Sequence, residues 1–181
     1  MLTMKTVLLI SFLLLCGSVT ASAQVYLTRD EALKQHFPDA STIERKTVFL
    51  TDRQVETIQE RAKAKVESKV LTYYVGMSGS KPLGYAFLET HIVRTMPETF
   101  MVVVKPGGSV AAVEILAFYE PEDYLPPSRW LGLFRDKTIK SDLWLKRGVQ
   151  NIVGATLSAQ AITGGVRKML AVYETAISKE Q

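Results

Sequence analysis

The chain has 181 residues, enough for one ordinary domain with a sizeable core, and a formal net charge of +4 from 22 lysines and arginines against 18 aspartates and glutamates. The basic residues are scattered rather than gathered into a block, so the charge points to solubility and not to nucleic acid as a partner. One cysteine and two histidines leave no material for a disulfide, an iron–sulfur cluster, a Cys-x-x-Cys-His haem site or a histidine-rich metal site.

Residues 1–23 read as a secretory signal peptide. Lys5 supplies the positive start, Val7 to Cys16 is an apolar run broken only by Ser11, and Ala21-Ser22-Ala23 is a small-residue cleavage site. The run is shorter than the ~20 apolar residues of a membrane span. Cleavage removes the only cysteine, and an uncleaved anchor is the alternative. Export places the protein in the periplasm or on the outer face of the cytoplasmic membrane. An electron carrier of this composition needs an organic cofactor.

Residues 28–37 read as a short helix with a capping box from Thr28 and Glu31, stopped by Pro38. Residues 47–50 are β-like. Thr51 and Gln54 form a second capping box, opening a helix to about Lys65 with Val55, Ile58 and Ala62 on one face. Lys63, Lys65, Glu67 and Lys69 read as a solvated charge run. Residues 24–69 are therefore expected to be an N-terminal helical extension packed on the domain.

From Val70 the pattern turns to strands, at 70–75 and 83–93, with a loop at 76–82 and a bulge or close backbone approach at Gly84. Residues 99–105 and 109–119 form the clearest hairpin, turned by Pro106-Gly107-Gly108. A short helix is expected from Ser128, as its cap, to Phe134, and residues 148–153 are expected to be extended. The last helix runs from Ser158 to about Ile177, with Gly164 and Gly165 allowing close packing on the sheet. The fold class is α+β, an antiparallel sheet flanked by helices.

The sequence Gln150-Asn151-Ile152-Val153-Gly154-Ala155-Thr156 leads into that last helix. A helix N-terminus offers unpaired N–H groups and a positive dipole end, which suit phosphate. Gly154 and Ala155 let a bulky group approach the backbone, and Thr156 adds a hydroxyl. Alone, this is also the composition of an ordinary loop and cap.

Three blocks extend the signal: His91-Ile92-Val93-Arg94-Thr95 with Glu98 and the strand after it; Val113 through Tyr124 followed by Ser128-Arg129-Trp130-Leu131-Gly132-Leu133-Phe134; and Ile152-Val153-Gly154-Ala155-Thr156-Leu157-Ser158. Together they span most of residues 70–175. They resemble the FMN-binding domain family, which contains the flavin-bearing G subunit of Rnf-type complexes and the C subunit of the sodium-pumping NADH:quinone reductase. The layout is closest to small, single-domain, exported members. The resemblance implies that residues 70–181 are a single FMN-binding domain and that Thr156 carries FMN through a phosphodiester. A flavin transferase is implied as a partner, with membrane redox proteins as electron donor or acceptor. The family's attachment motif has Asp six residues before the Thr and Ser or Thr three before it; here Gln150 and Val153 stand there.

The cofactor-binding candidates are Thr156 with Val153, Gly154, Ala155, Leu157 and Ser158, plus Trp130 and Glu120. Trp130, with Tyr124 and Phe134, could offer a flat apolar neighbour to a flavin, although aromatic residues at this spacing are more often core. Glu120 ends a buried-looking strand, and with Glu122 it could do acid–base work or form a solvated turn. Arg94 could pair with Glu98 or contact phosphate. No catalytic residue and no metal site is identified. The function expected is electron transfer outside the cytoplasm by a covalent flavoprotein, not conversion of a substrate. The alternative, favoured by Gln150 and Val153, is an exported binding or assembly module with the same fold and no covalent flavin.

Overall fold

The computed structural model describes residues 24–178. In chain order they form β1 (Gln24–Val25), α1 (Arg29–His36), β2 (Thr42–Phe49), α2 (Asp52–Ala62), β3 (Val70–Ser78), β4 (Lys81–Val93), β5 (Met96–Val104), β6 (Val110–Phe118), α3 (Ser128–Leu131) and α4 (Thr156–Val172). A π turn, Tyr173–Ile177, follows α4 without a break. The expected signal peptide lies outside the described residues. All six strands pair antiparallel in one sheet of order β1-β6-β5-β4-β3-β2, so the fold is α+β as expected.

Local chemistry sets the first two helices. The Thr28 hydroxyl accepts from the Glu31 N–H while the Glu31 carboxylate accepts from the Thr28 N–H, and Thr51 and Gln54 repeat the arrangement at α2. Each box satisfies two otherwise orphaned backbone donors. Between them, β2 begins at Thr42 rather than near Thr47, and it pairs with β3 over its full length. Residues 24–69 therefore supply two edge strands as well as two helices. They are part of the sheet rather than a helical extension laid against it.

Two cores sandwich the sheet. On one face α2 and α4 bury Ile58, Ala62, Ile162, Val166 and Met169 against Phe87, Phe100, Val102 and Phe118. On the other, Ala32, Leu33 and Phe37 pack on Tyr74, Ala86, Met101 and Val103. Burial of each large apolar side chain stabilises by about 1.5–3 kcal/mol. Phe37 lies across Gly76 and Gly84, where an added Cβ would come 2.5 and 3.0 Å from its ring. That need for space keeps Gly76 inside β3. The expected loop at 76–82 shrinks to Gly79 and Ser80. The ladder is irregular where Gly76↔Gly84 gives way to Met77↔Pro82, and a Cβ at Gly84 would lie 3.1 Å from the Val104 carbonyl oxygen, so the irregularity and the close backbone approach expected at Gly84 are both present.

α4 lies on the sheet through Gly165. A Cβ there would sit 2.5 Å from Cζ of the fully buried Phe100, whereas at Gly164 it would meet only the tip of Arg167 at 4.0 Å. Only one of the two glycines serves close packing. Gly165→Ala is expected to lose about 1–3 kcal/mol from overpacking. Gly164→Ala should gain up to about 1 kcal/mol of helix propensity. Urea denaturation of the two variants checks this, and equal effects would contradict it. The C-terminal end of the helix is tied by the Tyr173 hydroxyl, which donates to the Pro106 carbonyl in the β5–β6 turn. Seventeen helical residues span about 25 Å, so Thr156 opens the helix toward the opposite end of the sheet.

Candidate functional site at the start of α4

Thr156 is the first residue of α4, and the N-cap position is taken by Ala155, which has no side chain able to cap. The first-turn N–H groups therefore keep their anion-attracting character. Gly154 has a φ of +86°, the left-handed region, and nothing lies within 4 Å of where its Cβ would be. The chain thus turns sharply into the helix and leaves open space above the turn. Asn151 Nδ2 donates to Thr156 Oγ1 at 3.2 Å, and that hydroxyl donates to the Ile152 carbonyl at 3.3 Å. Both contacts are long, and the hydroxyl is exposed.

The remaining residues of the stretch divide by face. Val153 is 98% exposed and Leu157 47%, beside Gly154 and Thr156 on the solvent side. Ala155 and Ser158 are buried, and the Ser158 hydroxyl has no hydrogen-bond partner. Gln150 is exposed, like Val153. Both positions that differ from the family's attachment motif therefore stand on the outer surface near Thr156. The expected extended segment at 148–153 is instead a turn and loop, held by one short parallel bridge, Leu145↔Val149.

A cleft of about 310 Å³ opens beside the hydroxyl, between Thr156, Gln160, Thr163 and Arg167 of α4 and the loop bearing Trp144 and Asn151. Arg167 builds its floor. The guanidinium carbon lies 3.8 Å from the centre of the Trp144 ring. Arg167 Nε donates to the Ala62 carbonyl and Nη1 to the Leu143 carbonyl, both at 2.8 Å. With donors tied to the end of α2 and to the loop at Leu143, the cation fixes the plane of the indole. Neither Trp144 nor Arg167 stood among the candidates legible in the sequence. Thr156, Gln160, Thr163 and Arg167 are spaced 4, 3 and 4 apart, which is one stripe of a helix, and that spacing was the available signal.

The structure does not bring Trp130 to this cleft. Its ring is buried, edge-on to Phe134 with centroids 5.2 Å apart, and Nε1 donates to the Gln150 carbonyl at 2.6 Å. Trp130 holds the loop that precedes Thr156. Ser128 is the first residue of α3 rather than its cap, since Pro127 occupies the cap position and no side chain caps this helix.

Glu120 is buried, and its Oε1 accepts from the Thr95 and Met96 N–H groups at 2.9 Å each. It holds the β4–β5 turn and is no solvated turn residue. Arg94 does not pair with Glu98; it lies over the Tyr124 ring at 4.1 Å. Glu98 is fully buried, and neither carboxylate oxygen has a hydrogen-bond partner among the described residues. Burial, and then the charge of Glu120, push its carboxyl up to about 8.

No family model matches the sequence, and no curated protein matches it. Among solved structures the fold is similar to the crystal structure of Shewanella oneidensis NqrC, with a TM-score of 0.53 and 15% sequence identity. The match covers 82% of this chain and 87% of that one. At this identity the likeness concerns the fold.

Proposed function

We propose that this protein is an exported electron-transfer flavoprotein that carries FMN on Thr156. One observation carries the reading: an exposed threonine hydroxyl stands at a helix N-terminus without a side-chain cap, beside a cleft lined by a fixed tryptophan. The resemblance of residues 70–175 to the FMN-binding domain family and the fold shared with NqrC support it.

The residues fit the group. First-turn N–H groups of α4 and the open turn at Gly154 would hold the phosphate, and Trp144 would lie against the flat ring system. Attachment would proceed with a flavin transferase and FAD. The Thr156 oxygen would bond to the FMN phosphorus as the bond to the AMP phosphate broke, with AMP leaving and the hydroxyl proton passing to base or solvent. Bound flavin supplies one- and two-electron chemistry. Arg167 keeps Trp144 in place, Trp130 holds the loop at Gln150, and the exposed Val153 and Leu157 offer an apolar rim to a redox partner in or at the membrane.

The test is flavin fluorescence after full denaturation, in protein coexpressed with a flavin transferase. Wild type and Thr156→Ser should retain it, and Thr156→Ala should lose it. Fluorescence released from wild type by denaturation would show noncovalent flavin and overturn the attachment. The second reading, a binding or assembly module without covalent flavin, is favoured by Gln150 and Val153. It predicts that wild type stays colourless and that the Gln150→Asp, Val153→Ser double variant becomes modified.

A further inference from the structure

The sheet forks at one end. β3 and β4 pair from Ser78↔Lys81 to Tyr73↔Phe87 and then part. β3 stays with β2 as far as Val70↔Phe49, while β4 stays with β5 as far as Val93↔Met96. A cleft of about 620 Å³ lies between the two arms. We propose that this fork is a strand-addition site for an extended, basic segment of a partner polypeptide.

The first argument is backbone complementarity. In an antiparallel ladder, alternate residues turn their N–H and C=O to alternate sides. Leu50 N–H donates to the Lys69 carbonyl across β2–β3, so Lys69, Leu71 and Tyr73 face β2 and Thr72 and Tyr74 face the other way. Tyr74 pairs with Ala86, so Ala86, and by alternation Thr90 and Ile92, face β3. Beyond Phe87 no strand among the described residues meets them. The Ser68 hydroxyl bonds to both the N–H and the C=O of Val70, which closes that position of the opposite arm. Thr90 and Ile92 are thus the open edge, and an open strand edge is a template for another extended chain.

The second argument is size. An extended residue occupies about 160 Å³, from a strand spacing near 4.8 Å, a rise near 3.3 Å and a sheet spacing near 10 Å. The cleft therefore suits a segment of about four residues. The arms wall it on both sides, and strands already held in the sheet of a second copy could not enter. The occupant must be a free segment.

The third argument is chemistry on the two faces of the fork. On the α1 side, Ile92 is 77% exposed and Val70 51%, giving an apolar rim. On the α4 side, the buried Lys168 lies 2.9 Å from Glu89 and 3.1 Å from Glu67, and His91 lies 3.0 Å from Glu89. One fixed cation faces two carboxylates, so this floor favours an incoming lysine or arginine. The inference stands apart from the flavin reading, since the fork requires no cofactor.

The probe is the peptide acetyl-Thr-Val-Lys-Val-Thr-amide, titrated into the whole chain and followed by backbone amide NMR. Saturable shifts and slowed exchange are expected at Thr90 and Ile92. Binding should weaken about tenfold when the peptide lysine becomes glutamate. Ile92→Pro removes an N–H that faces the fork and leaves the β5 ladder its own donors, so it should weaken binding by a similar factor. Glu67→Lys, at an exposed side chain, should remove the preference for the basic peptide even if the proline variant fails to fold. No saturable shift at millimolar peptide, equal binding of both peptides, or binding unchanged by Glu67→Lys would overturn the proposal.

Discussion

Gly148→Ala is expected to destabilise the protein by about 3 kcal/mol and to disorganise the cleft beside Thr156. A Cβ at Gly148 would lie 1.7 Å from the Asp142 carbonyl oxygen and 2.7 Å from its carbon. Both are backbone atoms, so the loop must open; no side chain can swing aside. The same loop closes on itself through bonds from the Val149 N–H to the Trp144 carbonyl and from the Lys146 N–H to the Val149 carbonyl. Leu143 and Val149 anchor it in the core. Opening it moves Trp144 off Arg167 and shifts the Gln150 carbonyl that Trp130 holds. For a domain of this size the loss corresponds to a fall in Tm of about 6–12 °C. Gly107→Ala is the control, because nothing lies within 4 Å of its Cβ position. Equal melting of the two variants would contradict the account.

The second large effect is a pH dependence centred on Glu98. In the unfolded chain this carboxyl titrates near its ordinary 4.5; in the fold it titrates near 8, first because it is buried and second because Glu120 is close. Below pH 4.5 both states hold the proton and Glu98 has no effect on stability. Between about pH 4.5 and 8 the unfolded state has released its proton and the folded state has not. The folded state binds more protons, so stability falls as pH rises through this window and levels off above it. At ~1.36 kcal/mol per pH unit the loss over the whole window reaches on the order of 5 kcal/mol. Glu98→Gln removes the titration. Urea denaturation at pH 5 and pH 9 should show wild type losing several kcal/mol relative to the variant. Parallel pH profiles would contradict the buried, unpartnered carboxyl.

Features written in adjacent residues were legible in the sequence. The two capping boxes and the Pro106-Gly107-Gly108 turn depend on contacts a few residues apart, and each stands where its residues placed it. Features set by distant contacts were not. β2 is an edge strand exposed on most of its length, so its first half carries no alternation of apolar residues to mark it. Gly76 reads as a loop residue until Phe37, almost forty positions earlier, is seen to need its space.

The candidate site divides in the same way. A helix could be read from Ser158, and it starts two residues earlier, at Thr156. Which tryptophan lines the cleft could not be read, because the two are alike by type. Trp130 is drawn into the core by Phe134 and the Gln150 carbonyl, and Trp144 is drawn to the cleft by Arg167. Glu120 ends a buried-looking strand, but its partners could not be read: two N–H groups of a turn some 25 positions earlier claim it. Sequence spacing carries no trace of such pairings.

The most direct test of the flavin reading is the intact mass of the protein, made in cells with an active flavin transferase. The account predicts a gain of one FMN less one water, located on the peptide that contains Thr156. An unmodified mass, from cells in which the same transferase modifies another substrate protein, would contradict it.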